Sequence, residues 1–287
     1  MQRCDLDIHS LFSDGTNTPT EIISEAKRLG LAVALTDHNT VSGISEFMNA
    51  AKEQGVTAVA GTELSTDYDG TELHLLGLFI PEENLSKVEF FTKEANLLKE
   101  ISNVELIERL NEAGYDIDYV TVKKRNAGDS INRAHVAAEL LDRGYVSSIN
   151  EAFAEILAED KGFYVPPPRT HLFDAITFLK EIGAVPILAH PLQELKEETL
   201  RALLPKAKEK GLIGIEVYHS SYDADKIKTA IQIADDFGLA RSGGSDYHGK
   251  TKPDVHLGVG KGQLDIPIEI YEDLFAISGR ITAKSGE

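Results

Sequence analysis

The chain switches between short continuous apolar runs and longer stretches in which apolar residues recur every third or fourth position. The runs predict buried strands, and the longer stretches predict helices with one buried face. A first helix opens at Thr18-Pro19-Thr20-Glu21: Thr18 caps it, Pro19 takes its first position, Glu21 reaches back, and Gly30 stops it. Next come a strand over 32–36, a helix over 44–54 ending at Gly55, and a strand over 56–60 followed by Gly61-Thr62-Glu63. Residues 64–68 and 72–79 predict a strand pair turning at Asp69-Gly70.

From residue 82 to about 158 the alternation lapses. Leu97, Leu98, Ile101, Val104, Ile107 and Leu110 fall at helix spacing, and shorter helices are expected over 132–141 and 149–157. Tyr164-Val165-Pro166-Pro167-Pro168 forms a stiff extended connection that closes this block, which has the form of an α-helical insertion. Alternation then resumes, with helices over 172–182, 197–210 and 224–237, strands over 185–188, 213–218 and 239–241, and one more strand and helix within 266–277. The class is α/β.

A 42% hydrophobic, 26% charged chain of 287 residues is an ordinary globular mix, long enough for a full core. No long uninterrupted apolar run predicts a transmembrane helix, and Met-Gln-Arg-Cys-Asp lacks the form of a signal peptide. Cys4 is the single cysteine, which excludes an internal disulfide and a cysteine metal cluster. The cytoplasm is therefore the expected location. A formal charge of −18 repels nucleic-acid backbone, so long DNA or RNA is not an expected partner, nor is a membrane. A small anion remains possible where bound divalent cations reverse the sign locally.

Candidate chemistry begins in residues 5–15, D-L-D-I-H-S-L-F-S-D-G. A strand there carries Asp7 and His9 on one face, and the turn Ser13-Asp14-Gly15 brings back a second carboxylate. That stretch reads equally as a solvated strand end or as metal ligands. Further along, Asp7/His9, His38, Glu63, His190, His219 and Asp246/His248 all fall at or just after strand ends. In parallel α/β barrels those ends converge on one face, where active sites form. A single histidine after a strand is more often an ordinary loop residue. Repetition at six strand ends points to a shared metal site.

D-x-H…SDG, TDHN, GTEL, ELHLLG, LAHP and SDYH together resemble the successive motifs of the PHP (polymerase and histidinol phosphatase) superfamily, from residue 4 to about 260. The helical insertion is similar to that of its nucleotide phosphoesterase branch, the TrpH/YciV-like proteins. The resemblance implies a distorted seven-stranded (β/α) barrel over 1–96 and 166–287, holding three divalent metals, with 97–165 as a helical cap over the substrate. Motif by motif, it implies the ligands Asp7, His9, Asp14, His38, Glu63 (as a bridge), His74, His190, Asp246 and His248. The family usually begins His-x-His, whereas this chain has Asp7-x-His9. A carboxylate is the harder ligand, which favours Mn²⁺, or Fe, over Zn²⁺.

The implied reaction is phosphate ester hydrolysis by a hydroxide bridging two metals, with Glu63, His190 and His219 at its centre. Arg133 and His135 open a helix, which reads equally as a solvated helix start or as a phosphate site, and the resemblance favours the phosphate. Arg169 is read as a second phosphate contact or a surface ion pair. His219 is expected to touch substrate rather than metal, protonating a leaving group or binding phosphate. His171 and His256 are read as ordinary loop or helix-start residues. The expected substrate is small and nucleotide-like, AMP-like in its organic part: a 3′,5′-nucleoside bisphosphate, or the 5′ end of a short oligoribonucleotide, with phosphate as a product. Alternatives are a cyclic phosphate dihydrolase, a histidinol-phosphate phosphatase (against which the insertion counts), and a structural or regulatory metal-binding PHP domain.

Overall fold

Eight strands organise the computed structural model, which describes residues 2–125 and 131–285. They are β1 (Arg3–Asp5), β2 (Leu31–Leu35), β3 (Ala58–Tyr68), β4 (Thr71–Leu78), β5 (Thr170–His171), β6 (Val185–Leu188), β7 (Gly214–His219) and β8 (Ala240–Gly244). Seven of them pair in the order β1-β2-β3-β4-β6-β7-β8, while β5 pairs with β3 off this path. Only β4 runs against its neighbours; the other pairings on the path are parallel. The sheet curls almost into a closed barrel. Its ends meet where Leu6 N–H donates to Gly243 O (3.0 Å), Asp246 N–H to Asp7 O (3.0 Å) and His9 N–H to Tyr247 O (2.9 Å). Closure demands glycine at 244, where an added Cβ would lie 2.3 Å from Asp7 Cβ.

The helices follow in chain order: α1 (Pro19–Leu29), α2 (Ile44–Gln54), α3 (Leu85–Glu112), α4 (Tyr119–Lys123), α5 (Arg133–Asp142), α6 (Ile149–Ala152), α7 (Leu172–Glu181), α8 (Pro191–Glu194), α9 (Glu197–Lys210), α10 (Ala224–Phe237) and α11 (Ile268–Ser285). The expected capping box of α1 is present: Thr18 Oγ1 accepts from Glu21 N–H, and Glu21 Oε2 accepts from Thr18 N–H. Strand alternation divides the core. Leu31, Val33 and Leu35 of β2 face an outer cluster shared with Ile23, Phe47, Leu179 and Ile233. Ala32 and Ala34 face an inner cluster with Cys4, Leu6, Leu76 and Ile187, to which α11 adds Ile270 and Leu274.

Three expectations need correction. Residues 56–60 and 64–68 are not separate strands. Strand β3 runs unbroken through Gly61-Thr62-Glu63, because Gly61 lets the Leu35 and Gly77 carbonyls approach to 3.0–3.1 Å of where a Cβ would stand. Residues 266–277 hold no full strand; Pro267 makes one bridge to Arg3 and α11 follows. Helix α3 runs past residue 97 and serves two cores. The first turns of α3 pack Leu85, Val88 and Phe91 on the barrel. Its last turns place Leu106, Ile107 and Leu110 in a third cluster with Val136, Leu140, Leu157 and Tyr164. Leu97 and Ile101 lie between these two cores and are 61% and 48% exposed, so the anticipated apolar face is not continuous. No helix among the described residues is long and apolar enough to cross a membrane.

Candidate metal centre

Glu63 sits at the middle of the site, 1% exposed. The chain after β2 continues beside it: Glu63 N–H donates to Asp37 O, and Asn39 N–H to Glu63 O. Each carboxylate oxygen faces two imidazoles. Oε1 lies 3.1 Å from His74 Nδ1 and 3.1 Å from His190 Nε2. Oε2 lies 3.1 Å from His38 Nδ1 and 3.2 Å from His9 Nε2. Burial works against its charge, but the imidazoles outweigh burial and hold its carboxyl well below the usual range. His74 shows the reciprocal effect: burial alone lowers an imidazole's pKa, yet Glu63 and Glu72 push it up to about 10.

The other expected ligands close around this centre. His9 Nε2 is 3.4 Å from Asp7 Oδ1 and 3.6 Å from Asp246 Oδ1. Asp14 reaches His248 Nε2 at 3.1 Å and His38 Nε2 at 3.8 Å. All nine residues that the motifs single out therefore meet in one cluster. Their donor atoms form overlapping groups: His9, Asp14, His38 and His248; His38, Glu63 and His74; Asp7, His9 and Asp246; and Asp7, Glu63 and His190. Asp7 Oδ2, His9 Nε2, Asp14 Oδ1, His38 Nδ1 and His190 Nδ1 are buried without a hydrogen-bond partner. Orphaned donor atoms packed this closely suit divalent cations, which need no hydrogen. His248 adds a tautomer argument. Its Nδ1 lies 2.9 Å from the Asp246 carbonyl and so carries the proton, leaving the Nε2 lone pair aimed at the cluster.

Backbone strain collects here. Asn39, His190 and Asp246 are non-glycine residues with φ of 51°, 28° and 56°. Buried carboxylates brace the turns. Asp37 accepts from Ser10 N–H, Ser10 Oγ and Ser13 Oγ, and Asp5 accepts from Ser245 N–H, Ser245 Oγ and Gly258 N–H. Glu216 Oε2 accepts the His190 N–H at 2.9 Å. The motif reading passed over Asp5, Asp37 and Glu216. The one signal for Glu216 was a carboxylate inside an apolar run, G-I-E-V-Y-H; Asp5 and Asp37 lie next to motif residues with nothing to set them apart.

His219 also reaches the centre, with Nε2 3.4 Å from Asp246 Oδ2 and close to His190 and Glu216. Proximity alone would admit it as a ligand, but its hydrogen bonds argue otherwise. Nδ1 accepts the Ser221 N–H at 3.2 Å, so the neutral ring carries its proton on Nε2 and presents a donor. Burial lowers its pKa and favours that neutral form. His171 is the N-cap of α7 and accepts from Phe173 N–H; His256 makes a backbone bridge to Gly260.

A cavity of about 560 Å³ opens onto Asp14, His38, His74 and His190, and Lys99, Arg133 and Arg169 line it too. Glu72 fixes both guanidiniums: Arg169 Nη2 lies 2.6 Å and Arg133 Nη2 4.0 Å from Glu72 Oε2. Arg133 also stacks over Tyr164, 4.2 Å from the ring centroid. His135 is used differently from Arg133. Its Nδ1 accepts the Asn132 N–H and closes the first turn of α5, while Nε2 is buried without a partner.

A family model for the PHP domain matches residues 5–161, more than half of the chain. The chain belongs to the PHP family. A 5′-3′ exoribonuclease of Haemophilus influenzae is 32% identical over 249 residues, covering 86% of this chain and 90% of that one. A 3′,5′-nucleoside bisphosphate phosphatase of Chromobacterium violaceum is 30% identical, covering 86% and 88%. A solved structure from Bifidobacterium adolescentis, a candidate metal-dependent phosphoesterase, superposes with a TM-score of 0.84 at 27% identity over 95% of both chains. The near-closed seven-strand barrel and the clustered histidines and carboxylates are thus those of a PHP divalent-metal site.

Proposed function

We propose that this PHP protein is a metal-dependent phosphoesterase acting on small nucleotide-like substrates. The carrying observation is Glu63, whose two oxygens each face two histidines, three of which line a cavity together with two arginines and a lysine. Asp7, His9, Asp14, His38, Glu63, His74, His190, Asp246 and His248 are the residues that would hold three divalent ions, Mn²⁺ foremost. Such ions, when bound, supply positive charge for phosphate oxygens and lower the pKa of water. No serine or cysteine nucleophile is needed.

The reaction adds water across a phosphate ester. A new P–O bond forms to the water oxygen, the ester P–O bond breaks, one proton ends on the leaving oxygen and one stays with phosphate. Glu63 and His190 fix the geometry at the centre. Neutral His219 offers Nε2–H to a phosphate or leaving oxygen; its Nδ1 is occupied by Ser221, which favours hydrogen bonding over full proton donation. Arg133 and Arg169 bind a second phosphate on the same substrate. We place residues 97–165 over the substrate as a cap, since Arg133, Tyr164 and Lys99 from that stretch form a cavity wall. A cytoplasmic location belongs to the same proposal.

The test is a panel of adenosine 3′,5′-bisphosphate, a ribose cyclic phosphate, a short 5′-phosphorylated RNA and histidinol phosphate, each with added Mn²⁺. Turnover of the bisphosphate or the RNA ahead of the others is expected. Absence of turnover on every ester at full metal occupancy would assign a binding role instead.

A further inference from the structure

A second cavity, of about 480 Å³, reaches the same centre from another side. Its lining includes His219 and Asp246, which the metal cluster also presents, and it runs between the loop after β8 and the start of α6 near Ser148. Lys250, Lys252 and Lys261 line it, a local excess of cations on a chain of net charge −18. Of the acids there, Asp246 is engaged by Lys252 at 2.5 Å, and Asp254 is the other. His219 is 2% exposed and its Nε2 has no hydrogen-bond partner, so a buried donor lies on the wall of this cavity, beside His190 on the wall of the first.

A mononucleotide fills one cavity of this size. Two cation-lined cavities on either side of one reacting centre suit an ester with anionic groups on both sides of the broken bond. Resting on the phosphoesterase reading above, we propose that the second cavity holds the chain of a short oligonucleotide beyond the scissile phosphate. The terminal nucleotide then sits with its 5′-phosphate by Arg133 and Arg169. Water's oxygen bonds to the next phosphorus, the P–O3′ bond breaks and the 3′-oxygen takes a proton. A nucleoside monophosphate leaves, and the remaining chain keeps a new 5′-phosphate among the lysines.

The experiment compares wild type with the K250A/K261A double variant. Both lysines are exposed, and thermal melts check that folding is unchanged. Binding of a 3′-fluorescein 5′-phosphorylated RNA trinucleotide to metal-free protein is read by anisotropy, with adenosine 3′,5′-bisphosphate as competitor. KM for both ligands is then read with Mn²⁺. The trinucleotide-to-bisphosphate preference is expected to fall about tenfold in both measurements, with a shallower salt dependence for the trinucleotide. An unchanged preference, or equal loss for both ligands, overturns the proposal; equal loss would mark an exit for free phosphate. A wild type that hydrolyses no ester while the binding preference still shifts would sink the phosphoesterase reading and leave this cavity's assignment standing.

Discussion

Glu216 accepts the backbone N–H of His190, a residue held at φ 28° with its ring against Glu63. Without that acceptor a buried N–H is stranded, at a cost of about 1–3 kcal/mol, and the strained backbone at His190 loses its support. Glu216→Ala should weaken metal affinity roughly 10–100-fold. Glu216→Gln keeps a carbonyl oxygen for the bond and should lose less than tenfold. Metal content after dialysis against graded free Mn²⁺ checks both variants.

His219→Ala should separate hydrogen-bond donation from ligation. With its Nδ1 already bonded to Ser221, His219 is a donor, so metal content should stay at the wild-type level while kcat falls by roughly 10²–10³. His38→Ala, by contrast, should lose metal as well as activity. Equal metal loss in the two variants would make His219 a ligand after all.

Chelation should both inactivate and soften the protein. Ions bound only by the folded state stabilise it by about 2.7 kcal/mol at a hundredfold excess over Kd. In a chain of this size that corresponds to a melting shift of roughly 4–5 °C. Scanning calorimetry with EDTA and then with Mn²⁺ measures the shift, which should be absent in Glu63→Ala.

Asp7→His restores the usual His-x-His opening of the family. Thr36 Oγ1 now donates to Asp7 Oδ1 at 2.7 Å, a bond that the imidazole replaces poorly. The variant should keep activity within about tenfold and bind Zn²⁺ better relative to Mn²⁺. Metal analysis of wild type purified without added metal, showing zinc alone, would remove the argument from ligand hardness.

Away from the site, Glu139 is 3% exposed and accepts from Arg125 and Arg143. Burial opposes its charge, but the two guanidiniums outweigh burial and lower its pKa. A depressed folded-state pKa stabilises above the unfolded value of about 4.3, and that stability disappears as pH falls through the folded value. Glu139→Gln should therefore cost about 2 kcal/mol at pH 7. The gap to wild type in urea melts should narrow as pH falls below about 4.3.

Helix α1, with its Thr18–Glu21 box and Gly30 stop, and α2, with its Gly55 stop, were readable because caps act within a few residues. So were 185–188, 197–210 and 224–237, where apolar spacing is strong. The candidate ligands stood out because their side-chain types recur at strand ends. Gly61 misled, since a glycine reads locally as a break and only the Leu35 and Gly77 carbonyls beside it explain why the strand continues. Leu97 and Ile101 misled in the same way. Helical spacing says that they share a face, but not that this face passes between two cores.

Residue order and chemistry alone were enough to establish an α/β chain with side chains of metal-ligating type at the mouths of its strands. Folding then settled which oxygen of Glu63 meets which imidazole, which tautomer His219 adopts, and that Glu216 steadies His190. Those outcomes depend on atoms brought together from segments far apart in the chain, as when Asp5 meets Ser245 and Gly258. Local propensity acts over a few residues, so it carries no record of such meetings.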